Sequence, residues 1–372
     1  MRIELPISKS IANRLLILQA IHGDGLVTVS ACGVPDDARI VGCFDMPDDV
    51  RLMSEAIRLL GERREARIDL GNCGTAMRFI TAYCAQLEGQ TTILDGVERM
   101  RHRPIGQLVD ALREMGAQIE YLGEEGFPPL RIKGCILDKH RIVTINNMLS
   151  TQFVSALLLI GANVQTDSTS PYITLTRELI QHYTTLHNSI QRYTIEKDWS
   201  SAAFWYEYVA LHGGEITLPG LSRDSLQGDK VVADIFVHLG VHTEYTEEGI
   251  TITKNEDEEF LIQQYEQQKS TTQTTKSNNT LNIDFSACPD LYPAVAITCE
   301  RLGVEIHATG VESLPLKESD RLRAVREHRT DADHRMAMAL LVAGYEVDDT
   351  VCISKSYPQF IEQWKSVNGF NE

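Results

Sequence analysis

Hydrophobic and polar positions along the chain follow two periods, one typical of helices and one typical of strands. Ile11, Leu15 and Leu18 share one helical face near the N-terminus. The pattern predicts a helix over Thr75 to Gln86, after a Gly-Asn-Cys-Gly turn, and another over Ile105 to Met115. The strand-like stretch AQIEYL follows the second of these. Helices and strands are therefore predicted to alternate.

One helix–strand pattern occurs twice. The stretches LVDALREMGAQIEYL and VVADIFVHLGVHTEYT both consist of a helical pattern, a glycine and an alternating strand pattern. A second short strand, GITITK, follows the later copy. Repetition of a helix–strand unit indicates an α/β fold with internal symmetry.

The length and one polar segment add to this picture. A chain of 372 residues is longer than one hydrophobic core usually holds, so two domains are expected. The segment QQYEQQKSTTQTTKSNN, from Gln263 to Asn279, is polar and low in complexity. Such a composition cannot bury enough apolar surface to order itself, which predicts a mobile surface loop.

Composition excludes several classes of protein. The formal net charge of −17 argues against nucleic-acid binding, which requires a basic face. No apolar run is long enough to span a bilayer, and the N-terminus has no charged-then-apolar signal. None of the eight cysteines forms a C-x-x-C pair, which argues against a disulfide framework and a structural zinc site. These features predict a reduced, cytoplasmic protein with mostly buried thiols and no membrane partner.

Basic residues cluster in six stretches despite the acidic total. They are Lys9 and Arg14; Arg78; Arg99, Arg101 and Arg103; Lys317, Arg321 and Arg323; Arg335; and Lys355. Each cluster taken alone is better explained as a solvated helix face paired with nearby acids. Lys9 is unusual because a lysine in a first helical turn opposes the helix dipole, which indicates an external negative partner. Together the six clusters favour a small polyanionic substrate, since guanidinium and ammonium groups bind phosphate and carboxylate.

Two turns could add backbone donors to such a site. GNCGTAMR places two glycines before a helix, where backbone N–H groups can bind an anion. STQF, Ser150 to Phe153, places two hydroxyls and an amide at another helix start, although an ordinary N-cap is the better explanation of this stretch taken alone.

Three residues are candidates for proton transfer. Glu318 is flanked by Lys317 and Arg321, and Asp290 lies in ACPDLYPA. Nearby cations favour an ionised carboxylate and burial opposes it, so such a group can be set for proton transfer. A structural ion pair at helical spacing with Arg321 or Arg323 is the alternative for Glu318. His334 could carry a proton or cap a helix, and its local sequence favours neither.

Twelve motifs in order resemble those of the 3-phosphoshikimate 1-carboxyvinyltransferase, or EPSP synthase, family. They are LPISKSIANR, LGNCGTAMR, LDGVERMRHRPIGQLVDALREMGA, FPPLRIKG, STQFVSALL, SPYITLT, EKDWSSAAFWY, GLSRDSLQGD, PDLYPAVA, LKESDRLRAV, DHRMAMAL and SKSYPQFIEQW. They run over nearly the whole chain, and the ordered set is far more specific than any single motif.

The resemblance implies transfer of the enolpyruvyl group of phosphoenolpyruvate to the 5-hydroxyl of shikimate 3-phosphate, with release of phosphate, in the pathway to chorismate and the aromatic amino acids. It implies no metal, no organic cofactor, a monomer and inhibition by glyphosate. The implied fold is α/β, with two similar domains of three βαβαββ-type units each, an inside-out α/β barrel, and the active site in the interdomain cleft. The domains would be 9–196 and 1–8 plus 197–372, with crossings near 8–9 and 196–198.

The resemblance also implies the site residues. Shikimate 3-phosphate would be held by Lys9, Ser10, Arg14, Ser150, Thr151, Gln152, Thr169, Asp290, Ser313 and Lys317. Phosphoenolpyruvate would be held by Lys9, Gly74, Arg103, Gln152, Arg321, Arg335 and Lys355. The catalytic candidates are Lys9, Asp290, Glu318, His334 and Lys355. Asp290 is predicted near the attacking hydroxyl and Glu318 near the methylene carbon.

The chain departs from the family at several positions. Ile7 and Cys73 stand where the family often has small residues, Phe79 where it often has proline, and Ser313 where an amide is common. The chain also passes almost directly from LKESDRLRAV to DHRMAM, where the family normally inserts the rest of a helix and two or more strands. It looks short between Thr184 and Tyr193 as well.

Two other functions remain as alternatives. An enolpyruvyl transferase acting on UDP-N-acetylglucosamine typically has a GAKN-like motif where this chain has SKSIANR, which argues against it. A catalytically impaired binding homologue would explain the short connection after Arg321, although all the expected cations and both carboxylates are present.

Overall fold

The computed structural model describes residues 1–23, 46–189, 194–255, 275–277 and 279–369. Contacts within the chain divide it into two compact units. Unit 1 contains Met1–Ser8, residues 46–47 and the described chain from Glu196 onward, and unit 2 contains the described parts of 9–23 and 48–195. Within the described part of the chain, no helix is both long and apolar enough to cross a membrane.

Unit 2 contains seven helices and six strands among its described residues. The helices are α1 Lys9–His22, α2 Asp48–Glu62, α3 Gly74–Ala85, α4 Glu98–Arg101, α5 Gly106–Glu114, α6 Gln152–Leu159 and α7 Pro171–Ser189. The strands are β1 Glu65–Asp69, β2 Thr91–Asp95, β3 Gln118–Tyr121, β4 Leu130–Lys133, β5 Ile142–Thr144 and β6 Asn163–Gln165. The first four strands form a sheet in the order β1-β2-β4-β3, and β5 pairs with β6 in parallel.

Unit 1 contains two three-stranded sheets among its described residues, in the orders β7-β9-β8 and β10-β11-β12. Its strands are β7 Glu215–Pro219, β8 Val241–Tyr245, β9 Gly249–Lys254, β10 Thr275–Ser277, β11 Thr280–Asp284 and β12 Glu305–Thr309. Its helices are α8 Trp199–His212, α9 Val232–Val237, α10 Tyr292–Leu302, α11 Arg321–Glu327, α12 His334–Val342 and α13 Phe360–Val367. Short 3-10 turns at Gly228–Val231, Pro289–Leu291, Leu314–Leu316 and Val351–Lys355 connect them.

The internal repeat predicted from the sequence is confirmed. In unit 2, β2 leads through α5 to the antiparallel pair β3 and β4, and β4 also pairs antiparallel with β2. In unit 1, β7 leads through α9 to β8 and β9 with the same pairing. Each motif therefore has the strand order first, third, second, with its helix between the first two strands. The mixed α/β class is confirmed as well.

The local predictions are confirmed to within a residue or so, with one correction. The helix predicted over Thr75 to Gln86 is α3, and the one over Ile105 to Met115 is α5. Most of the segment from Gln263 to Asn279 lies outside the described residues. Of its described residues, Thr275–Ser277 form strand β10, so the prediction of a loop is wrong there. Pairing with β11 satisfies backbone groups that composition alone leaves out of account.

Helix α8 is the centre of the unit 1 core. Its sequence WSSAAFWYEYVALH is apolar on nearly every face, and Trp199 and Trp205 are fully buried. Asp198 caps the helix by accepting a hydrogen bond from the Ser201 N–H. Trp205 donates its indole N–H to the Tyr357 hydroxyl at 3.1 Å. A helix that is apolar on all sides is expected to lie in the middle of a hydrophobic core.

The departures Ile7 and Cys73 have simple structural roles. Ile7 is buried and forms an antiparallel bridge with Lys197, a setting that suits a β-branched residue. The Cys73 thiol accepts a hydrogen bond from the Ala76 N–H and so caps α3. Among the described cysteines, Cys73, Cys84, Cys288 and Cys299 are buried and Cys135 and Cys352 are half-buried, all as free thiols. Cys32 and Cys43 lie outside the described residues.

Candidate active site

Arg14 joins the N-terminal parts of three helices in unit 2. Its guanidinium donates to the Ser10 carbonyl at 2.7 Å within α1, to the Ser155 hydroxyl at 3.2 Å in α6, and to the Thr176 hydroxyl at 2.7 Å in α7. The side chain is buried, and burial lowers the pKa of Arg14 to about 10. Arg14 therefore holds the N-termini of α1, α6 and α7 at one place.

A fourth helix begins at the same place. Gln152, the first residue of α6, donates its side-chain amide to the Thr75 hydroxyl at 2.9 Å, and Thr75 is the second residue of α3. The N-terminal ends of helices carry free N–H groups and a partial positive charge. Four such ends close together favour anions, the role that the sequence left open for the turns before α3 and α6.

Lys9 is the first residue of α1, whose first turn contains no acidic residue. Its ammonium lies 3.2 Å from a carboxylate oxygen of Asp49 in α2, and both side chains are largely buried. Asp49 thus supplies a negative partner from another helix, which sequence reasoning did not identify because 40 positions separate the two residues.

Gly74 allows the close approach of Arg103. A Cβ atom at Gly74 would lie 2.5 Å from Nη2 of Arg103, closer than atoms of real side chains come. Arg103 also donates to the Asn72 carbonyl at 3.4 Å and is buried. The glycine turn and the third arginine of VERMRHRPIG therefore place a cation at the start of α3.

The other residues assigned to this side of the site lie around the same helix ends. The Ser150 hydroxyl accepts a hydrogen bond from the Gln152 N–H at 3.3 Å, and Thr151 directly precedes α6. Ser10 is half-buried in the first turn of α1. Thr169 is exposed in the turn before α7.

Asp290 is shared by three cations in unit 1. One carboxylate oxygen lies 2.8 Å from Nη1 of Arg321 and 3.3 Å from the Lys317 ammonium. The other lies 3.0 Å from Nη2 of Arg335. Asp290 follows β11 in a short 3-10 turn, whereas its partners come from the chain before α11 and from the first turns of α11 and α12. The structure thus brings four predicted site residues together.

Glu318 links this cluster to Lys355. Its two carboxylate oxygens lie 3.1 Å from Nη2 of Arg321 and 2.7 Å from the Lys355 ammonium. The ion pair with Arg321, the alternative left open by the sequence, is present. Its pairing with Lys355, 37 positions away, could not be read from the sequence.

Asp333 connects Arg321 to the start of α12. It caps α12 through the Arg335 N–H and accepts 2.8 Å and 3.1 Å hydrogen bonds from Arg321 Nε and the Ser319 hydroxyl. Burial of Arg321 opposes its charge, but Asp333, Asp290 and Glu318 outweigh it and the pKa of Arg321 is raised. Arg321 therefore stays charged although it is almost completely buried.

The two remaining candidates lie at the edges of the cluster. His334 is buried as the first residue of α12, with Nδ1 3.7 Å from Asp333. Ser313 is half-buried and precedes the 3-10 turn that leads to Lys317.

Sequence reasoning missed Asp229, although it quoted the motif GLSRDSLQGD that contains it. Asp229 is buried and accepts a short hydrogen bond from the Ser200 hydroxyl. Burial, and then the charge of Asp290, raise the pKa of Asp229 to about 6. The available signal was an acid directly after Gly228 in a motif shared with the family.

Several clustered cations are structural, as the alternative explanation allowed. Arg78 is buried and donates to the carbonyls of Gly74 and Pro104. Arg101 pairs with Asp95, and Arg323 pairs with Asp331 at the surface.

Comparison with known proteins shows which family the chain is similar to. The family model described as EPSP synthase (3-phosphoshikimate 1-carboxyvinyltransferase) matches residues 1–328 and 326–364. A 3-phosphoshikimate 1-carboxyvinyltransferase of Bacteroides fragilis is 36% identical over 420 aligned positions, which cover 96% of this chain and 93% of that protein. The enzyme of that name from Erwinia tasmaniensis is 28% identical, with 97% and 94% covered.

A solved structure gives the same result for the fold. An EPSP synthase from Acinetobacter baumannii superimposes with a TM-score of 0.65 at 18% identity, covering 98% of this chain and 95% of that one. At this identity the likeness concerns the fold alone. The sequence match extends over both units, and it includes the segments that carry both groups of site residues. The chain therefore belongs to the EPSP synthase family.

Proposed function

We infer that this chain transfers the enolpyruvyl group of phosphoenolpyruvate to the 5-hydroxyl of shikimate 3-phosphate and releases phosphate. Membership of the family over nearly the full chain carries this conclusion. The cluster of Lys317, Arg321 and Arg335 around Asp290 supports it, because each substrate carries a phosphate and a carboxylate.

The proposed reaction is an addition followed by an elimination. The 5-hydroxyl oxygen bonds to C2 of phosphoenolpyruvate while its proton goes to a base, and the methylene carbon gains a proton to become a methyl group. The C2–O bond to phosphate then breaks, the methyl group loses a proton, and the double bond forms again. One group near the hydroxyl and one near the methylene carbon are needed for these transfers.

We assign Asp290 to the hydroxyl and Glu318 to the methylene carbon. Asp290 is about one-fifth exposed and Glu318 about one-tenth, so neither side chain is completely buried among its cationic partners. Lys355 lies 2.7 Å from Glu318 and can hold or return its proton. His334 contacts Asp333 and would act through it.

The site residues of units 1 and 2 described above supply the proposed contacts to the two anionic substrates. We propose that Lys9, Ser10, Ser150, Thr151, Gln152, Thr169, Ser313 and Lys317 bind shikimate 3-phosphate, with Arg14 fixing the helix ends beneath it. We propose that Lys9, Gly74, Arg103, Gln152, Arg321, Arg335 and Lys355 bind phosphoenolpyruvate. The fold that this requires is the family's pair of similar domains, 9–196 and 1–8 plus 197–372, each of three repeat units. We also propose that the protein is a cytoplasmic monomer and that glyphosate inhibits it.

Phosphate release tests the function directly. We expect release only when both substrates are present, none with either alone, and none when UDP-N-acetylglucosamine replaces shikimate 3-phosphate. The variant Asp290→Asn should lose most of the turnover, whereas Asp224→Asn, an exposed aspartate of the same unit, should keep it. Tight binding of shikimate 3-phosphate without phosphate release would instead identify a binding homologue, and release with the UDP-sugar would identify the other transferase.

A further inference from the structure

We propose that the connection between α11 and α12, residues 328–332, positions Arg321 and Arg335 in this chain, with His328, Thr330 and Asp331 as positioning residues. The family model matches in two segments that overlap at 326–328, so the match breaks where α11 ends. The alignment with the Bacteroides fragilis relative spans 420 positions, more than the 372 residues of this chain, and so contains positions that the chain lacks. The role of the two arginines toward phosphoenolpyruvate rests on the proposed function.

The connection returns the chain to the start of α11. Helix α11 ends at Glu327, and the Arg329 N–H bonds back to the Ala324 carbonyl at 3.0 Å. The Asp333 N–H then donates to the Thr330 carbonyl at 2.9 Å. The Asp333 carboxylate reaches Arg321, the first residue of α11. The helix, the connection and this ion pair form a closed loop of contacts. A shift in the connection would therefore move Asp333 relative to Arg321.

The backbone of the connection is held in an unusual conformation. His328, Asp331 and Ala332 have φ values of 51°, 45° and 56°, in the left-handed region that residues with a Cβ rarely adopt. Such residues persist only where surrounding contacts determine the conformation. The contacts around the connection are therefore the ones to identify.

His328 attaches the connection to two other elements. Its Nε2 lies 2.7 Å from a carboxylate oxygen of Glu300 in α10, and its ring stacks on Tyr345 with the ring centroids 4.3 Å apart. The Tyr345 hydroxyl donates to the same Glu300 oxygen at 2.7 Å. His328 follows α11 and Tyr345 follows α12, so this trio joins α10 to the C-terminal ends of both helices.

Thr330 and Asp331 hold the turn itself. Thr330 is 2% exposed, and its hydroxyl donates a short hydrogen bond to Asp348. Asp331 accepts hydrogen bonds from Arg323 at 3.1 Å and from Arg329 at 3.0 Å, which bracket it from α11 and from the connection. Thr330 is the most direct target, because its carbonyl also binds the Asp333 N–H.

A longer insertion would let α11 and α12 adjust independently, whereas this short connection makes their geometry depend on its own contacts. Arg321 and Arg335 can both pair with Asp290 only when the first turns of α11 and α12 are correctly placed relative to it. A mutation far from the reacting atoms that misplaces a substrate-binding group by about 1 Å can lower the rate by up to about 100-fold. The connection should therefore affect the use of phosphoenolpyruvate more than the stability of the unit.

The test compares Thr330→Val with Thr330→Ser and Thr298→Val. The valine removes the hydroxyl at nearly constant size, and the serine restores it. Thr298 is also fully buried in unit 1, but its hydroxyl donates to the Ala294 carbonyl within its own helix, α10. We expect Thr330→Val to raise KM for phosphoenolpyruvate about tenfold or more, with KM for shikimate 3-phosphate within about twofold. Thr330→Ser and Thr298→Val should keep both KM values within about twofold.

A measurement without substrate separates this inference from the proposed function. The Nε–Hε NMR signal of Arg321 in ¹⁵N-labelled protein can be assigned by its loss in Arg321→Lys. We expect Thr330→Val to shift that signal and Thr298→Val to leave it in place. If the parent enzyme releases no phosphate, the proposed function fails, and the Arg321 signal still decides the positioning role. An unchanged signal together with unchanged KM values in Thr330→Val would overturn the inference, even if the unfolding midpoint fell.

Discussion

Arg321 donates from Nε to a carboxylate oxygen of Asp333 at 2.8 Å, and both side chains are almost completely buried. The same carboxylate caps α12 through the Arg335 N–H. One acid therefore sets both the direction of the Arg321 guanidinium and the start of the helix that carries Arg335. A buried ion pair fixes geometry but adds little net stability, because burying the two charges is costly. Removing one partner is nevertheless destabilising, since the other charge stays buried.

Replacing Asp333 by Asn should destabilise unit 1. Asn still caps a helix, so the change removes the negative charge next to buried Arg321 but keeps the cap. We expect the free energy of unfolding to fall by about 3 kcal/mol, because a buried charge loses one of its partners. Asp320→Asn, at the N-cap of the neighbouring α11, should cost no more than about 0.5 kcal/mol. Urea denaturation of both variants measures the difference, and equal losses would contradict the role given to Asp333.

Replacing Gly74 by Ala should weaken the binding of phosphoenolpyruvate. The new methyl group would lie 2.5 Å from Nη2 of Arg103, and the end of that flexible side chain must move away. We expect KM for phosphoenolpyruvate to rise about tenfold, with stability changed by no more than about 1 kcal/mol. Gly61→Ala, in α2 with open space around it, is the matched control and should leave KM unchanged.

A double variant checks the cause. If Gly74→Ala acts through Arg103, its effect should largely disappear in an Arg103→Ala background, because contacting residues do not contribute additively. Additive effects of the two changes on KM would show that the methyl group acts elsewhere.

Replacing Lys9 by Ala should abolish most of the turnover. Lys9 begins α1 among four helix N-termini and carries the charge assigned to both substrates. We expect kcat to fall by about 100-fold or more, the usual result of removing a group that stabilises developing charge. Lys133→Ala, an exposed lysine on β4, should be nearly silent. Steady-state phosphate release with both substrates gives the comparison, and near-normal turnover in Lys9→Ala would remove Lys9 from the mechanism.

Much of the fold could be predicted because it depends on local patterns. Helices α3 and α5, strand β3 and the repeated helix–strand unit follow from hydrophobic period and glycine position, and the structure differs from them by a residue or so. Strand β10 was missed because its residues are polar and its order comes from pairing with β11. Tertiary pairing of this kind overrides composition.

The site was predicted by residue type but not by partner. Charge clustering identified Lys9 and Glu318, yet their partners Asp49 and Lys355 lie 40 and 37 positions away. Arg14 could be identified as a cation of the site, but its burial against Ser155 and Thr176 depends on helices that follow much later in the chain. Sequence spacing describes neighbours within one element and carries no information on which elements meet.

Replacing Asp229 by Asn should remove a pH dependence of stability. Burial, and then the charge of Asp290, raise the pKa of Asp229 from an ordinary value of 3.8 to about 6. An acid whose pKa is raised by folding contributes stability that is fully present below pH 4 and is lost as the pH rises through 6. The amide has no such titration, and its oxygen can still accept the hydrogen bond from Ser200.

The difference between wild type and Asp229→Asn isolates this one group. Glu207 is also buried, and burial raises its pKa as well, so the wild-type profile alone contains more than one contribution. We expect the free energy of unfolding of wild type relative to Asp229→Asn to fall by about 3 kcal/mol between pH 4 and pH 7. Urea denaturation at several pH values measures it, with exposed Asp224→Asn from the same motif as control. A difference that stays constant, or that rises with pH, would show that Asp229 is stably ionised in the folded protein.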